Sequence, residues 1–283
     1  MTAAPPRPPR SPRFPLGLDR VHARPEGRTR GTGGEVLRPQ APLQHAAQAA
    51  AQQAAGRHQP SGLGLDSAAV RQRMVQRLRA DGVRVEAVLQ AFATVERHRF
   101  VDSALAIQAY EDTALPIGLS QTISKPSVVA RMLTLLFEGQ SARAQGHLGR
   151  VLEIGTGCGY QAALLALLGR SVVSIERLRG LHDKAVENLD GQRLGDLRLV
   201  YGDGRLGHAP RAPFDSIVAA AGGEDLPPAW LEQLAVGGRL VAPMHDAQRG
   251  GQGLLVIDRQ TDGQLQRQWL DAVHFVPLKS GAA

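Results

Sequence analysis

Ten residues, Val151-Leu-Glu-Ile-Gly155-Thr-Gly157-Cys-Gly159-Tyr160, have the pattern needed to hold a ligand against the main chain. A short apolar run breaks into glycines at alternate positions, and the apolar segment Gln161 to Leu168 follows at once. Glycine permits the sharp turn and leaves backbone N–H groups open to a ligand at the start of a helix. The Gly-x-Gly-x-Gly spacing differs from the Gly-x-Gly-x-x-Gly of dinucleotide-binding turns. Two acids further along could complete such a site. Glu176 closes the run Ser171-Val-Val-Ser-Ile, where a carboxylate can accept both hydroxyls of a ribose. Asp203 lies between Gly202 and Gly204, which leave its side chain and the local amides free to face a ring such as adenine. Glu153, inside the first run, could orient the turn or a ligand's amino group, or could cap local amides from a buried position. Each feature also has a plainer reading: a tight strand–helix connection, a solvated acid opening a helix, an Asp-Gly turn.

These residues need strands to carry them. From Val151 onward the pattern alternates strand and helix. Strands are predicted at Val151–Ile154, Ser171–Ile175, Leu197–Tyr201, Phe214–Ala219 and Gly238–Pro243, with helices at Gln161–Leu168, Leu178–Asn188 and Pro227–Gln233. Alternation of this kind implies an α/β fold with a doubly wound, mainly parallel sheet. Ligands bind such sheets at the carboxyl ends of the strands, where strand order reverses, and the glycine turn should mark that point. Gly253–Asp258 and Leu265–Trp269 read as a hairpin around Thr261-Asp262-Gly263, adding antiparallel strands, with a last strand over Ala272–Val276. Upstream, Asp66 or Ser67 can cap a helix running through Arg79, and Val85–Ala93 reads as a second. Thr113–Lys125 reads as a loop, Pro126–Phe137 as a helix with proline in its first turn, and Gly139–Arg150 as a linker.

The 283-residue chain divides by composition. Residues 1–65 hold nine arginines, no lysine and three acids, so they carry six of the seven formal positive charges. They also hold ten of the eighteen prolines and an alanine–glutamine run. With few large apolar side chains to offset ordering entropy, 1–65 is expected to be a disordered extension and 66–283 a single domain. The extension could meet RNA or acidic lipid through its arginines, or be a solvated tail or an upstream start. The near-neutral remainder argues against a nucleic-acid-binding core. No apolar run suits a secretory signal or a membrane span, and prolines interrupt any amphipathic transit helix. The single Cys158 precludes an internal disulfide and suits a reducing cytoplasm. The nine histidines show no ligand spacing, so no metal is expected.

Glycine turn, Glu176 and Asp203 together resemble the class I methyltransferases that use S-adenosyl-L-methionine (AdoMet), over Val151 to Pro243. An acid at the second strand would also suit NAD, but the glycine spacing and Gly-Asp-Gly favour AdoMet. Upstream, Asp112-Thr-Ala-Leu-Pro-Ile-Gly-Leu-Ser-Gln121-Thr-Ile-Ser124-Lys-Pro126 resembles the signature loop of the protein-L-isoaspartate O-methyltransferases. So do Val95-Glu-Arg-His-Arg-Phe-Val101, Ala212-Pro-Phe-Asp215, Gly237-Gly238 and Asp271-Ala-Val-His-Phe-Val-Pro-Leu278, a resemblance spanning 67–278. It implies a Rossmann-like fold, AdoMet as methyl donor, and Ser124 as the active-site residue. Cofactor contacts are implied at Gln121, Thr122, Ile123, Glu153, Gly155, Thr156, Gly157, Gly159, Glu176, Arg177, Asp203 and Gly204. The implied acceptor is the free α-carboxyl of L-isoaspartyl residues in damaged, exposed or unfolded protein segments and peptides.

The chemistry fits that acceptor. An α-carboxyl with a pKa of about 3.5 is already a nucleophile near neutrality, so no strong base is required. Catalysis would come from proximity and orientation, with Ser124 hydrogen-bonding the carboxylate and Thr122 and the loop amides closing over it. Ser124 also suits a helix N-cap before Pro126. Lys125 could attract the anionic substrate but reads more simply as an exposed loop lysine. Cys158 reads as a small side chain without a catalytic role, and Lys279 occupies a position that varies among similar enzymes, which leaves carboxy-terminal cofactor contacts open. The rival readings are a methyltransferase for a small molecule or RNA, and a non-catalytic binding module recruited through the basic tail. The expected protein is a cytoplasmic monomer.

Overall fold

The computed structural model describes residues 68–283; the proposed extension and the Asp66/Ser67 cap lie outside the described residues. Seven strands form one sheet in the order β5-β4-β3-β6-β7-β8-β9. These are β3 (Arg150–Ile154), β4 (Ser171–Glu176), β5 (Asp196–Tyr201), β6 (Phe214–Ala219), β7 (Leu234–Asp246), β8 (Gly251–Arg259) and β9 (Leu265–Ala272). The strands β5, β4, β3, β6 and β7 pair in parallel, while β8 and β9 run antiparallel to their neighbours. The chain steps outward from β3 through β4 to β5, then returns to the other side of β3 with β6. Strand order therefore reverses between β3 and β6, and the glycine turn follows β3 at that point.

Alternate side chains of each strand feed two cores. Val151, Val172, Val218 and Val241 join one apolar cluster with the helices α1 (Ala68–Ala80), α2 (Glu86–Thr94), α3 (Pro126–Phe137) and α5 (Tyr160–Leu168). Leu152, Ile154, Val173, Ile175 and Ile217 point to the opposite face, over which Trp230 of α7 (Pro228–Glu232) closes. Helix α5 is buried nearly all round because it lies between the sheet and the amino-terminal helices, which explains its lack of a polar face. Helix α6 (Arg179–Leu189) buries Leu181, Ala185 and Leu189 and keeps its charged face in solvent.

Four departures from the sequence reading have local causes. Thr113–Lys125 is more than a loop: β1 (Leu115–Gly118) and β2 (Gln121–Ile123) form a hairpin. Its turn residues Leu119 and Ser120 take positive φ (51° and 57°), a conformation usually signalled by Asn-Gly, so the sequence hides it. The 139–150 linker contains a short helix, α4 (Gln140–Gln145), ended by Gly146 in the left-handed region. Strand β7 extends well beyond Gly238–Pro243 at both ends: Leu234 pairs with Phe214 of β6, and β8 pairs along it as far as Asp246. No strand forms over Ala272–Val276: β9 stops at Ala272, and the Val273 and Phe275 amides donate instead to the Gln252 backbone and side-chain oxygens.

Trp230 ties the lower face to the ligand end of the sheet, since its fully buried indole N–H donates to the Gly204 carbonyl at 2.9 Å. Trp230→Ala is expected to lower unfolding free energy by about 3–5 kcal/mol in urea denaturation. An unchanged midpoint would mean that α7 contributes little to holding Gly204.

Candidate active site

A cavity of about 460 Å³ opens at the carboxyl ends of β3, β4 and β6, under the β1–β2 hairpin and the segment after β9. That volume lies in the range of small-molecule sites. Its floor is the glycine turn. Gly155, Gly157 and Gly159 all have positive φ, at 90°, 57° and 92°. At Gly157 there is also little room: a Cβ would stand 3.2 Å from Ile117 Cδ1 of the hairpin. Gly157 thus serves both backbone conformation and close packing of the hairpin on the turn.

Glu176 fastens this turn. One carboxylate oxygen accepts the Gly157 N–H and the other the Leu178 N–H, both at 2.9 Å. Each oxygen keeps a second lone pair, so the carboxylate can still accept hydroxyls from the cavity it lines. Beneath the turn runs a buried polar chain. Thr156 Oγ1 meets Ser174 Oγ at 2.6 Å, and the Ser174 hydroxyl bonds a Glu153 carboxyl oxygen. Burial pushes the Glu153 carboxyl up to about 8, with Glu176 adding to the rise and Ser174 and Gln161 opposing it. Glu153 Oε1 and Gln161 Nε2 nevertheless have no hydrogen-bond partner, so Gln161 acts on Glu153 without closing a bond. Burial also pushes the Cys158 thiol up to about 11, which keeps it protonated and unreactive at neutral pH.

The hairpin brings Gln121, Thr122, Ile123 and Ser124 onto the opposite wall. Ser124 is half-buried, and its hydroxyl makes no hydrogen bond among the described residues. It does not cap α3: the Ser127 amide and hydroxyl both donate to Asp112, at 2.8 Å, and that carboxylate takes the capping role instead. Proline at the first helical position leaves no amide for Ser124 to reach there. The Ser124 hydroxyl is therefore free for a ligand. Lys125 is exposed and does not line the cavity.

Of the residues singled out from sequence, Gln121, Thr122, Ile123, Ser124, Gly155, Thr156, Gly157, Glu176, Arg177 and Gly204 line one cavity. Glu153, Gly159 and Asp203 do not. Glu153 and Gly159 lie behind the wall. Asp203 stands at the rim with both oxygens engaged, one by the Arg205 amide and one by the Gly281 amide at 2.7 Å. The same carboxy-terminal segment receives Arg177 Nε at the Gly281 carbonyl and pairs Ala283 with Arg177 and Arg179. Val276, Pro277, Leu278 and Lys279 consequently line the cavity, as do Ala220 and Ala221 after β6. Sequence reasoning missed Ala220 and Ala221; it placed Val276–Leu278 in the family resemblance and noted Lys279 as a variable position, without assigning any of them to the cavity. The run Ala219-Ala-Ala-Gly-Gly closing a strand was the available signal, since small residues there admit a ligand as glycines do after β3. For the carboxy-terminal segment, whose contacts are mostly with main chain, residue type carried no signal.

An open parallel sheet with a glycine turn and a ribose-competent acid at its switch point defines a nucleoside-binding α/β protein of the Rossmann-like methyltransferase class. The family model described as protein-L-isoaspartate(D-aspartate) O-methyltransferase matches residues 69–283. A protein named protein-L-isoaspartate O-methyltransferase from Methylibium petroleiphilum is 62% identical over 271 residues, covering 96% of this chain and 97% of its own. One of the same name from Leptothrix cholodnii is 58% identical over 278 residues, covering 98% and 97%. A solved protein-L-isoaspartate O-methyltransferase superposes with a TM-score of 0.65 at 26% identity, over 74% of this chain and 66% of that one. A second solved chain, from Plasmodium falciparum, superposes at 0.60 with 22% identity, over 73% and 97%, and shares the fold. The chain belongs to the protein-L-isoaspartate(D-aspartate) O-methyltransferase family.

Glu153 makes stability depend on pH in a definite direction. A carboxyl whose folded pKa of about 8 exceeds its ordinary 4.5 binds more protons folded than unfolded between those values. Stability from this group is present below pH 4.5 and is lost as pH rises towards 8. Glu153→Gln, which mimics the neutral acid, should flatten that decline and exceed wild type in stability at pH 8 by up to a few kcal/mol. Thermal unfolding of both proteins from pH 5 to 9 checks this; parallel curves would show that Glu153 is ionised in the folded protein.

Proposed function

We infer that this chain transfers the methyl group of AdoMet to the free α-carboxyl of L-isoaspartyl residues in damaged proteins and peptides. The observation that carries the reading is the unbonded Ser124 hydroxyl facing the Glu176-fastened glycine turn across one cavity. Family membership and the Methylibium relative, similar over nearly its whole length, support the same activity. When bound, AdoMet supplies an electrophilic methyl on a sulfonium. Glu176 accepts the ribose hydroxyls on its spare lone pairs, and Gly155 and Gly157 let the ligand approach the main chain closely, their amides being spent on Ile175 and Glu176. Gly204, Arg177 and the carboxy-terminal segment enclose the adenosine end, and Asp203 reads the base at its rim. Glu153 and Gly159 shape the turn from behind.

Ser124 donates to the acceptor carboxylate and aims one oxygen at the methyl, with Gln121, Thr122 and Ile123 closing the wall. The carboxylate oxygen bonds the methyl carbon while the carbon–sulfur bond breaks towards sulfur, so no proton needs to move. The product ester can lose methanol through a succinimide, returning part of the damage to aspartate. The acceptor must thread its backbone under the hairpin, which favours flexible segments of broad sequence. The exposed Leu119 at the tip of the hairpin offers such a chain an apolar contact. Residues 66–283 act as one catalytic domain and a monomer in the cytoplasm; the near balance of basic and acidic residues there suits protein over nucleic acid as partner. No helix among the described residues is long and apolar enough to cross a membrane, and none of them form a metal-binding cluster.

Radiolabelled AdoMet offered with paired isoaspartyl and aspartyl peptides should label only the former, as an ester labile to mild base. Equal labelling, or none, would overturn the assignment. Ser124→Ala should lower turnover roughly 10- to 100-fold while AdoMet affinity in calorimetry stays within about twofold, because one hydrogen bond to a charged group is lost. Glu176→Gln should do the reverse, weakening AdoMet roughly tenfold or more. Wild-type turnover in Ser124→Ala would remove that hydroxyl from the mechanism.

A further inference from the structure

Arg97 is completely buried, yet it forms no ion pair among the described residues. Its guanidinium is held entirely by neutral groups. Nε donates to the Ala109 carbonyl and Nη2 to the Ser124 carbonyl, each at 2.7 Å, with Thr113 a weaker acceptor at 3.4 Å. The guanidinium carbon lies 4.8 Å from the centroid of the Tyr160 ring. Nη1 and the Tyr160 hydroxyl are both buried without a partner. Burial lowers the Arg97 pKa, opposed by Tyr160, Cys158 and Asp112, but an arginine does not lose its proton in a protein. Of these three groups, Asp112 spends its carboxylate on Ser127, and burial raises both the Tyr160 hydroxyl and the Cys158 thiol. A full positive charge is therefore held out of water with no anion beside it, an arrangement that destabilises a fold unless something offsets it.

The position of that charge gives it a use. Ser124, Cys158 and Tyr160 all line the cavity, and Arg97 sits directly behind the wall they make, bonded to the Ser124 backbone. We propose that Arg97 is a positioning and specificity residue of the acceptor site, whose unpaired buried charge makes the Ser124 wall select a carboxylate over an uncharged group. This rests on the reading of Ser124 as the acceptor residue. The proposal predicts a division of effects. A cation behind the wall stabilises the acceptor anion before methyl transfer, and that anion is neutralised as the ester forms. Its field therefore favours peptide binding and lowers KM without accelerating the chemical step. The contact to the Ser124 carbonyl, by contrast, holds Ser124 in place and acts on kcat.

The experiment uses the full chain saturated with S-adenosylhomocysteine, which has no methyl to give, so that neither peptide reacts. Binding is measured for matched peptides carrying an isoaspartyl α-carboxylate or the corresponding α-carboxamide. Wild type should prefer the carboxylate roughly 10- to 50-fold, the size expected for a partly screened charge several ångströms away. Arg97→Met should reduce that ratio to within about threefold while S-adenosylhomocysteine affinity stays within twofold of wild type. Arg97→Lys keeps the charge but places it on a group that loses its proton when buried. Its carboxylate preference should hold at low pH and fall away relative to wild type as pH rises, a response that a purely structural role does not produce. No preference in wild type, or an undiminished one in Arg97→Met, overturns the proposal. Should Arg97→Met fail to fold, Arg97→Lys decides alone: a pH-dependent ratio supports the proposal, and a ratio that follows wild type at every pH overturns it. If wild type fails to methylate isoaspartyl peptides at all, the assigned function falls; if it methylates them without charge preference, only the role of Arg97 does.

Discussion

The site depends on one carboxylate. Glu176 ends β4, but its two oxygens fasten the Gly157 amide of the turn after β3 and the Leu178 amide of its own turn. Two loops at a topological switch point are thereby held at fixed separation, with hydrogen bonds to charge that are stronger than neutral ones. The turn is held in place from both flanks, its Gly155 and Thr156 amides donating to the Ile175 carbonyl and its Gly157 amide to Glu176. Gly157 lies close under Ile117 of the hairpin, so the same carboxylate indirectly sets where the acceptor loop rests. Donor and acceptor walls share a single anchor, and their relative position is what a reaction without proton transfer requires.

Support for this anchor comes from an arrangement that is costly in isolation. Glu153, Ser174 and Thr156 form a buried polar chain beneath the turn, and one Glu153 oxygen has no partner. Complete burial, and to a smaller extent Glu176 nearby, shifts that carboxyl towards neutrality. A neutral acid can bond Ser174 without adding a second negative charge to the cofactor end. The turn is thus rigidified from below by a group whose charge is suppressed, and fastened from above by the two Glu176 oxygens.

The donor half was the more legible in sequence because its chemistry resides in side chains at the ends of regular strands. Alternation of apolar runs marked β3 to β6, and each strand's last residues marked the ligand edge; Glu176 and the glycines could be read directly. What escaped reading was held by main chain. The β1–β2 turn uses Leu119 and Ser120 at positive φ, against their ordinary preference, so no turn signature announced the hairpin. The carboxy-terminal segment docks through the Gly281 and Ala283 backbone, which has no residue-type signal. Ser124 was legible as chemically important, yet its environment was not. Asp112, twelve residues upstream in the same loop, supplies the α3 cap that Ser124 might have made, and so releases its hydroxyl.

The two halves also differ in how they treat charge. On the proposed donor side, Glu176 is buried but lines the cavity, where a carboxylate suits ribose hydroxyls and a cationic sulfonium alike. On the acceptor side no charged group lines the wall beside Ser124; positive charge is withheld one layer behind it, on Arg97. A lysine or arginine in the cavity itself would grip the acceptor carboxylate directly and reduce its nucleophilicity. A buried cation separated by the Ser124 backbone attracts the anion while leaving an oxygen unpaired for the methyl. On the proposed roles of Ser124 and Arg97, the wall would combine weak direct hydrogen bonding with a field from behind, reconciling recognition of an anion with the need for that anion to react.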